Sequence, residues 1–206
     1  MSIKFESLEQ KASYGIGLNM GGQLLNQSFD GLDINAVAQG VKDAFEQVES
    51  KVAPADIEAA FQHITKIMQE KQAELSKQAA EAGRLFLEEN EKKEGVSVTE
   101  SGLQYEVINE GSGEKPSAAS TVRTHYHGTL IDGTVFDSSY ERGQPAEFAV
   151  NGVIAGWTEA LQMMSVGSKW RLAIPYELAY GEQGAGGAIA PYSTLVFDVE
   201  LLEIVS

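Results

Sequence analysis

The chain has 206 residues, is 43% hydrophobic and carries a formal net charge of −15. That length suits one or two domains with a real core, and so acidic a balance argues against nucleic acid and anionic membranes as main partners. The absence of cysteine excludes disulfides, thiolate zinc sites and a cysteine nucleophile. The N-terminal run Met1-Ser2-Ile3-Lys4-Phe5-Glu6 lacks the apolar core of a secretory signal. No stretch approaches the roughly 18 apolar residues of a membrane span. A soluble cytoplasmic protein that does not engage the membrane is expected.

Composition shifts near residue 95. Residues 1–94 hold one proline and mostly helix formers, and residues 95–206 hold most of the glycine and proline. The first helix is expected from about Ser7 to Leu25. Gly15, Gly17, Gly21 and Gly22 inside it each cost about 1 kcal/mol relative to alanine. Either the chain breaks near Gly21-Gly22, or the glycines allow close packing against another helix. A second helix starts near Asn35, a fair N-cap, and would bury Val37, Val41, Ala44, Phe45 and Val48. Pro54 opens a third helix, expected to run over 54–94. Ile57, Phe61, Ile64, Ile67 and Met68 form an apolar stripe in its first half. Its second half, ending in the charged run Glu88 to Glu94, reads as a solvated stalk. Three such helices make a thin core for one chain. Two copies exchanging apolar faces would bury far more area, so a homodimer through residues 1–70 is expected.

The remainder, 95–206, alternates with period two. Leu103–Val107, Val122–Leu130, Lys169–Ile174 and Leu195–Leu201 each present one apolar and one polar face, as half-buried antiparallel strands do. Ile131-Asp132-Gly133-Thr134 is a hairpin turn. Only Trp157–Met164 reads as helix. The fold class is α+β: an all-helical N-terminal domain, a long linking helix, then an antiparallel sheet wrapped on one short helix.

Four segments between them combine aromatics, turn glycines and carboxylates. They are Gly133-Thr134-Val135-Phe136-Asp137-Ser138-Ser139, Val153-Ile154-Ala155-Gly156-Trp157, Ala179-Tyr180-Gly181, and Thr194 through Leu202. In this order and spacing they resemble the FKBP-type peptidyl-prolyl cis-trans isomerases. Ser13-Tyr14-Gly15-Ile16-Gly17 and Asp33 through Gly40 resemble the dimerisation domain of the bacterial Mip-like subfamily, in its enterobacterial 22-kDa cytoplasmic type. The resemblance implies an enzyme that accelerates X-Pro rotation in folding polypeptides, with some chaperone activity, no cofactor and no metal. It also implies binding of macrolide immunosuppressant-type inhibitors.

The residues themselves read as an apolar, aromatic-walled pocket. Trp157 forms the floor, directly after a glycine that turns the chain. Tyr126 and Phe136 form walls, with Phe197 on the inward face of its strand and Phe148 supporting from beneath. Val153 and Ile154 precede Trp157, and the Ile154 N–H and Tyr180 hydroxyl are donors for a substrate carbonyl. Asp137 would orient Tyr126 or face the twisted carbonyl carbon. The resemblance places Tyr126, Phe136, Asp137, Val153, Ile154, Trp157, Tyr180, Ile189 and Phe197 at substrate, and Asp137, Tyr180, Phe136 and Ile154 in catalysis. Ala146 stands where the family often has an aromatic and Ala188 where it has a larger aliphatic, which opens the rim.

Other motifs have plainer readings. His125 and His127 share one strand face, but no third ligand is evident. The Gly181–Ile189 flap lacks the phosphate-binding glycine motifs and reads as a loop over the site. The alternative to an enzyme is a holdase whose working part is the helical domain, displaying Phe5, Phe45, Phe61 and Met68.

Overall fold

Hydrophobic periodicity sets three helices at the front of the chain, and in the computed structural model they are α1 (Leu8–Asn26), α2 (Ile34–Phe45) and α3 (Pro54–Asn90). The structure describes residues 4–26 and 28–206; Met1, Ser2 and Ile3 of the N-terminal segment lie outside the described residues. The chain divides into two units, residues 1–71 and 72–206.

In the first unit, Ser7 and Gln10 cap α1 reciprocally. The Ser7 hydroxyl accepts from the Gln10 N–H at 3.2 Å, and the Gln10 side-chain oxygen accepts from the Ser7 N–H at 3.3 Å, the capping-box pattern. Helix α1 runs unbroken through its four glycines, and a Cβ added at any of them would meet nothing within 4 Å. Neither a break nor packing within the chain accounts for them. Helix α2 is capped by Asp33 rather than Asn35. The Asp33 carboxylate accepts from the Asn35 N–H at 2.8 Å and from the Ala36 N–H, satisfying donors a helix start leaves open. The expected burial of this unit does not occur within one chain. Among the described residues up to 71 no side chain is buried; Phe45 is 88% and Phe61 66% exposed.

The second unit opens with the C-terminal half of α3. The expected solvated stalk is instead docked. Ser76, Ala79, Ala80, Gly83, Phe86, Leu87 and Asn90 recur at helical spacing and are buried or half-buried. The Gln104 amide donates to the Leu87 carbonyl at 3.0 Å and accepts from Asn90 at 2.9 Å. The helix stops at Asn90, short of Glu94, and the chain turns at Gly95 with φ +86°, a conformation glycine tolerates without steric cost.

Seven antiparallel strands follow: β1 (Val96–Val98), β2 (Gln104–Asn109), β3 (Thr121–Leu130), β4 (Val135–Ser138), β5 (Ala146–Ala149), β6 (Lys169–Ile174) and β7 (Leu195–Ile204). Their order is β1-β2-β6-β7-β3-β4, with β5 also on β3. Helix α4 (Ala155–Met163) buries Trp157, Ala160 and Leu161, and Met164 follows it into the core. Along β3 and β7 burial alternates strictly: Val122, Thr124, Tyr126 and Gly128 share a core with Leu195, Phe197, Val199 and Leu201. Strand β3 joins β4 through Ile131–Thr134, where the Asp132 carboxylate accepts from the Thr134 N–H at 2.9 Å and Gly133 takes φ +87°.

Candidate active site

Period-two alternation decides which side chains reach the concave face of the sheet, and α4 closes that face. Between them lies a cavity of about 460 Å³. Tyr126 comes from β3, Phe136 and Asp137 from β4, and Phe148 from β5. Gly152 ends the 3-10 turn before α4, Val153 and Ile154 link that turn to the helix, Trp157 comes from α4, Tyr180 from the loop after β6, and Phe197 from β7.

The aromatic rings are organised around Trp157. Its indole meets Tyr126 at 5.3 Å, Phe148 at 5.6 Å and Phe197 at 5.3 Å between centroids, all near perpendicular. Phe136 stands edge-on to Phe197 at 5.4 Å. Edge-to-face pairs set ring hydrogens against negative π faces, each pair giving about 0.5–1.5 kcal/mol beyond area burial. The walls are thus fixed by one another before substrate arrives. Phe148 is itself a wall, where sequence placed it only as support.

Gly156 does not serve as a turn. It lies in the first turn of α4, and a Cβ there would fall 2.6 Å from Ile174 Cγ2. Its role is close approach of α4 to β6. Gly128, unremarked in sequence, has a similar role: a Cβ there would sit 2.7 Å from Phe197 and 2.8 Å from Phe136. The two rings cover the space where a side chain would be.

The polar groups are few. The Tyr126 hydroxyl donates to Asp137 at 2.5 Å and accepts from the Arg142 guanidinium at 2.7 Å. Arg142 also pairs with the Asp137 carboxylate and lies 5.4 Å over the Tyr126 ring. Burial pushes the Asp137 carboxyl up, but the Tyr126 hydrogen bond and Arg142 outweigh it and hold it below the ordinary range. The Tyr126 phenol is raised, by burial first and then by Asp137. Asp137 therefore orients Tyr126, and Arg142, which sequence missed, completes the triad. The signal was weak, since Arg142 lies in a turn with no periodicity. The Ile154 carbonyl caps α4, accepting from the Trp157 and Thr158 N–H groups at 2.9 and 3.0 Å. Among the described residues the Ile154 N–H and the Tyr180 hydroxyl have no partner.

Ile189 does not reach this cavity. It is 8% exposed, packs in the core and exchanges both backbone hydrogen bonds with Ala185, at 2.9 and 3.0 Å. That bridge folds the flap on itself and turns the Ile189 side chain inward. Neither Ala146 nor Ala188 lines the cavity. The His125 and His127 rings face the Ser139 and Ser138 hydroxyls at 2.9 and 3.1 Å.

The fold is an antiparallel sheet wrapped on one helix around an aromatic, charge-poor cavity. Residues 112–202 match the family described as FKBP-type peptidyl-prolyl cis-trans isomerase, and residues 9–107 match the domain amino terminal to it. The chain is 54% identical over 200 residues to the FKBP-type 22 kDa peptidyl-prolyl cis-trans isomerase of Escherichia coli K12, covering 97% of both chains. It is 42% identical over 202 residues to the outer membrane protein MIP of Legionella longbeachae, covering 95% of this chain and 85% of that one. The crystal structure of FkpA from Escherichia coli superimposes with a TM-score of 0.71 at 39% identity, covering 98% of each. The chain belongs to the FKBP-type peptidyl-prolyl cis-trans isomerases and is an enzyme of X-Pro bond rotation.

Proposed function

We propose that the X-Pro bond turns inside the aromatic cavity, with substrate backbone carbonyls beside that bond held by the Ile154 N–H and the Tyr180 hydroxyl. The planar amide resists rotation by about 18–20 kcal/mol because its C–N bond is partly double. Midway, resonance is lost and the carbonyl oxygen carries less charge, so an apolar site favours the twisted form over the planar one. Each 1.36 kcal/mol of that difference is a factor of about ten in rate. The observation that carries this reading is the near absence of free charge. Six aromatic rings line the space, and the carboxylate at its edge is already bonded to Tyr126 and Arg142. No nucleophile or general base is required.

The Ile154 donor can be tested without disturbing the backbone. Ile154 has φ −58° and Val153 is extended, both of which proline accepts. Ile154→Pro removes the N–H alone from the backbone, and Ile154→Ala controls for the side chain. Isomerisation of an X-Pro tetrapeptide is expected to fall about fivefold in the proline variant relative to the alanine variant, the loss of one hydrogen bond. Equal rates would contradict the role.

The helical unit, residues 1–70, joins two copies in this reading. Four helix glycines that touch nothing in their own chain, and Phe45 and Phe61 left open, support it. Two sites in one particle raise the effective concentration at which a bound chain's prolines meet a pocket. Apolar residues left over by the dimer would give a chaperone contribution on folding clients.

A further inference from the structure

The loop that follows Tyr180 is held at its base by α3. The loop runs from Gly181 to Tyr192, whose N–H donates to the Gly181 carbonyl at 3.0 Å and closes it. Tyr180 immediately precedes that closure. Two residues after it, Thr194 is 3% exposed, and what covers it is Gly83. A Cβ built on Gly83 would lie 2.3 Å from the Thr194 Oγ1 and 3.1 Å from its Cβ. Contacts that short do not occur, so the helix can lie on the loop base only because position 83 has no side chain. One to two turns earlier on α3, Leu75, Ser76 and Ala79 line a second cavity of about 580 Å³ together with Ile189 and Pro191. Glycine in an exposed helix interior costs about 1 kcal/mol; here it is buried and takes part in a contact.

We propose that Gly83 is a positioning residue for the isomerase reaction, acting through Thr194 and the Tyr192–Gly181 closure to set the Tyr180 hydroxyl over the cavity. The proposal rests on the reading of Tyr180 as a substrate donor. It makes the C-terminal half of α3 a brace for the active-site loop, a role distinct from joining two copies.

The contact supplies its own rescue. Gly83→Ala introduces the clash, Thr194→Ala opens a gap, and the double variant Gly83→Ala/Thr194→Ala restores a filled contact with the two Cβ atoms about 3.1 Å apart, close enough that only a few tenths of an ångström must give. Full-length variants would be assayed on an X-Pro tetrapeptide with kcat and KM separated. Gly83→Ala is expected to lower kcat about fivefold with KM little changed, the signature of an interaction made in the twisted state. Thr194→Ala should show a smaller loss in the same direction, and the double variant should recover most of it. Adding Tyr180→Phe to Gly83→Ala should cost little more than either change alone, since coupled residues are non-additive. Full additivity with Tyr180→Phe, or no rescue in the double variant, overturns the proposal. Should Gly83→Ala not fold, unchanged kcat in Thr194→Ala overturns it equally. Full activity of Tyr180→Phe alone would instead overturn the Tyr180 reading beneath it, which keeps the two failures apart.

Discussion

Asp137, Tyr126 and Arg142 show how one residue's charge state is set by its neighbours. Burial alone would raise the Asp137 carboxyl, and the Tyr126 hydroxyl and Arg142 together reverse that. A carboxyl held below its unfolded value contributes stability that is present above the unfolded pKa of about 3.9 and lost as pH falls through the folded one. Across neutral pH Asp137 is therefore charged and its contribution flat. In Arg142→Met the Tyr126 hydroxyl and the Ser138 backbone are left to oppose burial, so the acid limb of isomerase activity is expected to move to higher pH, read from kcat/KM between about pH 4 and 7. An acid limb that does not move would show that Arg142 leaves Asp137 unaffected. Trp157, Phe136 and Phe197, which the fold brings to one cavity, stood out in the sequence only because four blocks agreed in order and spacing, since any one such aromatic alone reads as core. Arg142 was not, because its partners lie on two strands and only the folded turn brings it to them. Ile189 lies outside the cavity lining, because resemblance gives a position in a loop but not which way its side chain turns.

At the scale of elements, the long strands and α4 follow from alternation and periodicity, which are properties of a contiguous run. Strands β1, β4 and β5 span three or four residues, too short for a period to show, and exist because β2 and β3 offer them a partner. The docked half of α3 was hidden for a different reason. Its contact face is built from Ser76, Ala79, Ala80 and Gly83, small residues that carry no apolar stripe yet allow close approach. Strand β3 gives a sharp prediction. Gly128→Ala sets a methyl within 3 Å of Phe136 and Phe197, and overpacking of this kind costs about 1–3 kcal/mol. A lower unfolding midpoint in urea should accompany reduced isomerase rates. Wild-type stability and rate together would show that the two rings move aside freely.

At the scale of the whole molecule, two units use their apolar residues differently. The unit from residue 72 onward spends them on one core beneath its sheet. The unit up to residue 71 leaves Leu8, Phe45 and Phe61 open, which a second copy would cover. The sequence showed that mismatch as a core too thin for one chain, but not where the α1 glycines would find a neighbour. Sedimentation is expected to give twice the 22.2 kDa chain mass, and Phe45→Asp with Phe61→Asp should give single chains. Those single chains should keep tetrapeptide activity and lose part of their effect on protein refolding. A wild type that sediments as one chain would contradict the dimer.

The reaction proposed for the aromatic cavity is the turning of X-Pro bonds within it. Its most direct test is refolding of a protein limited by one X-Pro isomerisation, with wild type and with Phe136→Ala. The wild type should accelerate the slow phase. Removing the Phe136 wall forfeits about 2 kcal/mol of apolar contact, so the variant should lose roughly thirtyfold of that rate. Equal acceleration by Phe136→Ala would place the chemistry elsewhere.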